Sequence, residues 1–337
     1  MKYLLVILSL CSLACMSKAQ EQNTFDQWLA QLKAEAAERG VSDEIIAEAL
    51  DEVKYIERAV QSDRSQAEFK ESYQDYIRKR VSEWRIDKGQ RYLEEFSESM
   101  APVVRHYGVP ARVIAAIIGV ETNYGTFDLK HEAFDVLATL AFDARRGKRF
   151  RKEIFAALEM LDAGYASKAS LRSSWAGALG VPQFMPSTYL EYAVDFDKDG
   201  KRDIWSHGPD LWASVANYLD HYGWNDEETW ARKVIIPPQK QKRFDEVQEN
   251  LVEVPSTCTR YQKHLTGWRM LSQWNDEGLR RMNGSILPKV EMAASVIVTD
   301  PQNSHGYLVY ANFCTLMRYN PSFKYALSVG ALADAIK

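Results

Sequence analysis

The segment from Val109 to Gly125 constrains the fold more than any other. Val113, Ile114, Ala115, Ala116, Ile117, Ile118 and Val120 leave it no polar face, and Pro110 suits a first helical turn, where its missing N–H costs nothing. Such a helix belongs in a core. It ends on Glu121, followed by Thr122, Asn123, Tyr124 and Gly125, which supply hydroxyl, amide and aromatic groups beside a flexible turn. A carboxyl at the point where an apolar element surfaces is partly desolvated. It would hold its proton above the solution value, as a general acid near neutral pH must. The competing reading is a helix-end carboxylate facing water.

A chain of 337 residues can bury a full core and carry more than one domain or subdomain. Its formal net charge of -4 gives no nucleic-acid footprint, and aromatic residues without net basicity suit carbohydrate faces better. Lys2 precedes an apolar run from Tyr3 to Ala14 that is too short to span a bilayer comfortably. With Ser17, Lys18 and Ala19 after it, residues 1–19 are expected to be a secretory signal cleaved before Gln20. The alternative is an outer-membrane lipoprotein anchored through Cys15, against which Ser12 stands where such signals carry an aliphatic residue. Cys258 and Cys314 remain in the mature chain, as one disulfide or as two separately buried thiols.

Recurrence at three- and four-residue steps predicts helices from Phe25 to His106, with a start at Ser42-Asp43-Glu44 and a solvated helix with one buried stripe over Ala67–Arg85. Helices are also predicted over Phe134–Phe142, Phe150–Leu161, Asp210–His221, Asn312–Arg318 and Ser322–Ile336. Val234–Ile236, Ala294–Val298 and Tyr307–Tyr310 read as strands of a small mixed subdomain. The neutral run Ser173–Ser187, with two glycines, two prolines and Gln183, reads as a ligand wall or as a turn packed for structural reasons. Asp195, Asp197 and Asp199, with Gly200 at the sixth position, match the start of a calcium loop in which Lys201 offers its carbonyl. Ser206 replaces the twelfth-position Glu, so Asp203 or Asp210 would have to complete the shell. The alternative is an Asp-rich turn held by its own backbone hydrogen bonds.

Three separated motifs then add a resemblance. Ile118–Gly125, Ser174–Gly180 continuing through Gln183–Ser187, and Tyr319–Ser322 resemble the lytic murein transglycosylases of the MltB type, glycoside hydrolase family 103, from about Phe25 to the C-terminus. The resemblance implies a mainly α fold with a lysozyme-like helical core, an N-terminal helical region and a small β-containing subdomain. It also implies cleavage, without water, of the β-1,4 bond between N-acetylmuramic acid and N-acetylglucosamine in a Gram-negative periplasm, with a 1,6-anhydromuramyl end as product. Glu121 matches the family's single acid and base. Ser174 and Gln183 match sugar contacts, and Phe184, Tyr218, Tyr319 and Tyr325 match residues lining the groove. Asn320 matches a residue that helps hold it. Tyr76 matches a groove tyrosine, Arg145 and Arg146 a basic pair near the glycan or peptide, and the Asp-rich loop the family's EF-hand-like site.

The expected organisation is a signal at 1–19, a helical region at 20–108 and a catalytic core at 109–225 with the Asp-rich loop at 195–210. A mixed subdomain at 226–311 and C-terminal helices at 312–337 complete it. No cofactor is expected for the chemistry, a structural Ca2+ at Asp195, Asp197, Asp199, Lys201, Asp203 and Asp210 is, and the partner is the peptidoglycan glycan strand, met by a monomer. Two other functions fit the same residues: a lysozyme-type hydrolase, and a calcium-stabilised glycan-binding module without activity.

Overall fold

The serines, glycines and prolines between the apolar periods set where helices begin and end. The computed structural model describes residues 24–64, 71–143, 145–246 and 251–337, so the expected signal, with Cys11 and Cys15, lies outside the described residues. In chain order the helices are α1 (24–38), α2 (Asp43–Leu50), α3 (Glu57–Arg64), α4 (Tyr73–Arg80), α5 (Glu83–Tyr107), α6 (Ala111–Thr122) and α7 (Ala133–Phe142). They continue with α8 (Gly147–Asp162), α9 (Pro186–Tyr192), α10 (Pro209–His221), α11 (Gln241–Glu246), α12 (Leu271–Asp276), α13 (Ala311–Tyr319) and α14 (Phe323–Ala335). The strands are β1 (His131–Glu132), β2 (Arg172–Ser173), β3 (Ala231–Ile235), β4 (Arg269–Met270), β5 (Arg280–Arg281), β6 (Ala293–Asp300) and β7 (His305–Val309).

These elements form two units, each discontinuous in sequence: 24–64 with 128–191, and 71–127 with 192–337. The helical region expected at 20–108 is thus divided between them. In the first unit α7 packs on α8 and α3, and α2 on α8. Phe25 is wholly buried, its ring 5.4 Å from those of both Tyr55 and Phe142. The two-stranded β1–β2 pair, in register His131 to Ser173, leads directly into the neutral loop.

The second unit is built around α6, of which Val113 to Gly119 are all buried. Burial of its four large aliphatic side chains, Val113, Ile114, Ile117 and Ile118, contributes about 1.5–3 kcal/mol each. Helices α5, α14 and α10 pack on it. Gly108, in the left-handed region at φ 69°, and Pro110 turn the chain by 109° between α5 and α6. An antiparallel sheet in the order β4-β6-β7-β3-β5 carries its own core, centred on Phe244, Trp274, Val296, Leu308 and Tyr310.

One helix departs from the sequence reading, and one of the two alternatives for the cysteines holds. The helix expected over Ala67–Arg85 is interrupted after Arg80: Ser72 and Ser82 each cap a new start, accepting from the N–H of Asp75 and of Arg85. Residues 67–70 of it lie outside the described residues; among the described residues of its stripe only Tyr76 is buried, and Trp84 is 53% exposed. Cys258 and Cys314 form a disulfide that ties the 3-10 segment Ser256–His264 to α13. The short elements α11, α12, β4 and β5 carry too few residues for a period to register.

The end of α6 is shaped by glycines. Asn123 and Tyr124 both take left-handed φ, at 51° and 59°, and their N–H groups return to the carbonyls of Gly119 and Ile118. This folds Tyr124 back over its own helix, where a Cβ on Gly119 would lie 2.5 Å from the ring and a Cβ on Gly89 of α5 would strike the hydroxyl. Gly119→Ala is therefore expected to lower the unfolding free energy by about 1–3 kcal/mol, the usual cost of overpacking. A thermal melt that matched wild type would contradict this packing account.

Candidate active site

Glu121 is the penultimate residue of α6, half-buried where the apolar helix meets polar groups. Its carboxylate Oε1 accepts a hydrogen bond from the Tyr325 hydroxyl at 2.7 Å. Tyr325 comes from the first turn of α14, whose start is fixed by Ser322 Oγ accepting from the Tyr325 N–H. Tyr319, at the end of α13, lies parallel to Tyr325, with ring centroids 6.4 Å apart and planes 10° apart. Tyr218 on α10 meets Tyr319 edge-on at 5.0 Å and donates to the Arg318 carbonyl at 2.6 Å. Asn320 ends α13, and its carbonyl accepts from the Ser322 N–H at 2.7 Å.

Further ties hold α13 besides the disulfide: among them Tyr261 donates to the Met317 carbonyl, and buried Asn312 bonds both backbone groups of Asn225 and the Glu228 carbonyl. The tyrosines around Glu121 are thus fixed at both ends of one turn.

The electrostatics follow from that packing. Burial first, and the charge of Glu121 second, push the phenols of Tyr319 and Tyr325 well above the ordinary tyrosine range. Both remain neutral, so Tyr325 stays a donor to the carboxylate. Tyr76 on α4 is buried and adds to the shift at Tyr325, while the Arg80 guanidinium lies 3.3 Å over the Tyr76 ring. Helix α14 packs on both α4 and α6, which gathers Glu121, Tyr325 and Tyr76 in one unit.

Behind Glu121 the backbone is locked. Thr122 Oγ1 donates to the Ile118 carbonyl and accepts from the Gly125 N–H. Arg85 of α5 grips the Asn123 side-chain oxygen through both Nε and Nη2, and Tyr124 donates to the Arg85 carbonyl. Arg85 was not among the residues expected at the site. Its signal was faint, a single cation within an ordinary amphipathic helix.

Ser174, Gln183 and Phe184 belong to the other unit, on the loop after β2. Ser174 closes the loop by accepting from the Ala178 N–H at Oγ, and its own N–H donates to the Ala178 carbonyl. Gln183 has a left-handed φ of 55° and spends its side-chain amide on the Gly180 carbonyl at 3.0 Å. Phe184 is buried and pairs with Leu179 through its backbone, so it supports the loop from behind. Glu153, buried on α8, accepts from both the N–H and the hydroxyl of Ser187, at 2.9 and 3.0 Å, and so anchors the loop's far end. Arg145 and Arg146 do not stand free at a solvated turn. Both guanidiniums clasp the buried carboxylate of Asp63, Arg146 at 2.9 Å.

A family described as the transglycosylase SLT domain matches residues 24–334. The chain belongs to that family. It is 37% identical over 262 residues to membrane-bound lytic murein transglycosylase B of Escherichia coli K12, a match that spans 77% of this chain and 66%, just under two thirds, of that relative. Among solved structures, SltB3 from Pseudomonas aeruginosa in complex with NAG-anhNAM-pentapeptide superposes with a TM-score of 0.80 at 33% identity, over 93% of this chain and 79% of that one. Escherichia coli Slt35 in complex with calcium superposes with a TM-score of 0.75 at 26% identity, over 91% of this chain and 92% of that one. These relatives agree with the mainly α fold and small sheet of this SLT-domain chain.

A candidate cation site lies in the second unit. Carboxylate oxygens of Asp195, Asp197, Asp199 and Asp210 all fall within 4.8 Å of one another. Asp195 Oδ1 is buried without a hydrogen-bond partner, an orphaned hard donor of the kind a divalent cation satisfies. Gly200, at φ 91°, makes the sharp turn. Asp203, expected in the shell, uses Oδ1 to accept from the Trp205 and Ser206 N–H groups and is not among the converging carboxylates.

The raised phenols carry a pH consequence. Folded Tyr319 and Tyr325 keep their protons to higher pH than the unfolded chain does. Their contribution is therefore present below the unfolded tyrosine value of about 10 and is lost as pH climbs through it toward the folded values. Denaturant titrations across alkaline pH should show a shallower loss in Tyr325→Phe than in wild type. Parallel curves would show that the buried phenols are not responsible.

Proposed function

We propose that this chain is a lytic transglycosylase of the periplasm, exported by the signal at 1–19, that cleaves the β-1,4 bond between N-acetylmuramic acid and N-acetylglucosamine in peptidoglycan. The observation that carries this reading is the Glu121 carboxylate at the end of a buried helix, held by a neutral phenol within a family-wide match. Lytic murein transglycosylase B of Escherichia coli and the SltB3 complex with NAG-anhNAM-pentapeptide support it.

In this reading Glu121 begins protonated and gives its proton to the glycosidic oxygen as the bond to the muramyl C1 breaks. The positive charge growing at C1 is met by the sugar's own acetamido oxygen, a departure from the two-carboxylate scheme. The muramyl C6 hydroxyl then attacks C1, its proton returns to Glu121, and the 1,6-anhydro ring closes. Atoms balance without water. Tyr325 serves by donating to Oε1 and so orienting the carboxyl. Ser174 and Gln183 contact the sugars nearest the break, and Tyr319, Tyr218, Tyr76 and Asn320 shape the groove. Arg145 and Arg146, clasped to Asp63, lie near the glycan or its peptide, and Phe184 backs the loop.

The Asp-rich loop is assigned to a structural Ca2+, held by Asp195, Asp197, Asp199 and Asp210 with the Lys201 carbonyl. Slt35 in complex with calcium supports this assignment. At a hundredfold excess over Kd, Ca2+ would add about 2.7 kcal/mol to folding. A melting temperature that rises with Ca2+ in wild type but not in Asp197→Asn is expected. No rise in either would remove the metal from the account.

Mass spectrometry of soluble products tests the chemistry: wild type should release anhydromuropeptides from isolated murein, and Glu121→Gln should release none while still binding it. Products from both proteins would exclude Glu121, and binding without products from either would favour a glycan-binding module.

A further inference from the structure

Two large aromatic side chains are exposed near the end of α6, one on the first turn of α5 and one on the loop that leaves α6: Trp84 is 53% and Phe127 is 60% exposed. An exposed aromatic face offers a large rigid contact area to a partner that covers it. Their placement is fixed through one lysine. Trp84 and Lys88 lie one turn apart on α5, with Lys88 Nζ 5.2 Å from the Trp84 ring centre. The same ammonium donates to Thr126 Oγ1 at 2.9 Å, next to Phe127. Thr126 in turn donates to the Asn123 carbonyl, and the Phe127 N–H reaches the Thr122 carbonyl at 3.0 Å. Thr122 adjoins Glu121. The first turns of α5 and the loop leaving α6 therefore form one continuous lip, zipped by Arg85 to Asn123 and by Lys88 to Thr126. Lys88 is thereby anchored beside the Trp84 ring.

We infer that Trp84, Lys88 and Phe127 form a further glycan subsite, an aromatic platform on the lip beside Glu121 that takes a sugar ring remote from the bond being cleaved. The inference rests on the glycan reading above. A pyranose presents C–H groups to an aromatic face and hydroxyls at its edge, which suits exposed rings on a lip that also carries an ammonium donor. Continuity with the loop that holds Glu121 makes the occupant the same strand the site cleaves. The platform extends the groove and adds affinity without touching the reacting atoms.

Binding to isolated murein and to short and long N-acetylglucosamine oligomers tests this, measured in Glu121→Gln so that turnover does not intervene. Trp84→Ala with Phe127→Ala should weaken binding of the long oligomer and of murein by about tenfold, the scale of a modest aromatic anchor, and leave the shortest oligomer unchanged. Trp84→Tyr should restore most of the loss, and the melting temperature should not move because both rings are exposed. Equal affinity in the double variant would overturn the subsite. Loss at every oligomer length with a lowered melting temperature would also overturn it, by assigning the rings a structural role. The catalytic reading fails separately: a protein that releases no products from murein can still show the length-dependent loss.

Discussion

A helix buried on every side must still deliver its last residue to solvent, and the functional half of the molecule depends on how α6 meets that demand. Its interior is apolar, so the carboxylate at its end is desolvated by the same packing that stabilises the unit. Left-handed Asn123 and Tyr124 stop the helix within one residue, and Tyr124 seals it by lying across Gly119 and Gly89. The Arg85 grip on Asn123 then prevents the loop from opening. These contacts over-determine the backbone at Glu121, which in the proposed reaction would keep its carboxyl aimed at one bond.

The partner of that carboxylate comes from far along the chain. Tyr325 reaches Glu121 only because α13 is anchored by a disulfide and a buried asparagine, and because Ser322 starts α14 at a fixed residue. The sheet inserted between α10 and α13 has its own apolar cluster, so it can hold the returning chain without sharing the core of α6.

Much of this was legible in the sequence, for reasons that differ by residue. The unbroken apolar run exposed both α6 and the position of Glu121, and the alternating aspartates exposed the turn around Gly200. Hydrophobic period located β3, β6, β7 and the C-terminal helices within a few residues. What it could not convey was direction. Phe184 looks like a groove residue in sequence but turns inward, and the basic pair at 145 and 146 is spent on Asp63, which lies on a different helix. The break before Ser82 was hidden because Val81 and Trp84 continue the period of α4 by coincidence, and only cap geometry separates the two helices. The pairing of Cys258 with Cys314 depends on a spatial separation that no spacing encodes.

In the proposed reaction the muramyl C6 hydroxyl, and not water, completes what Glu121 starts. Digesting isolated murein in water enriched in heavy oxygen, and weighing the new muramyl ends, addresses it directly. Ends that carry no heavy oxygen and are lighter than the reducing form by one water are the predicted result. Ends that take up one heavy oxygen would make this chain a hydrolase and contradict the claim.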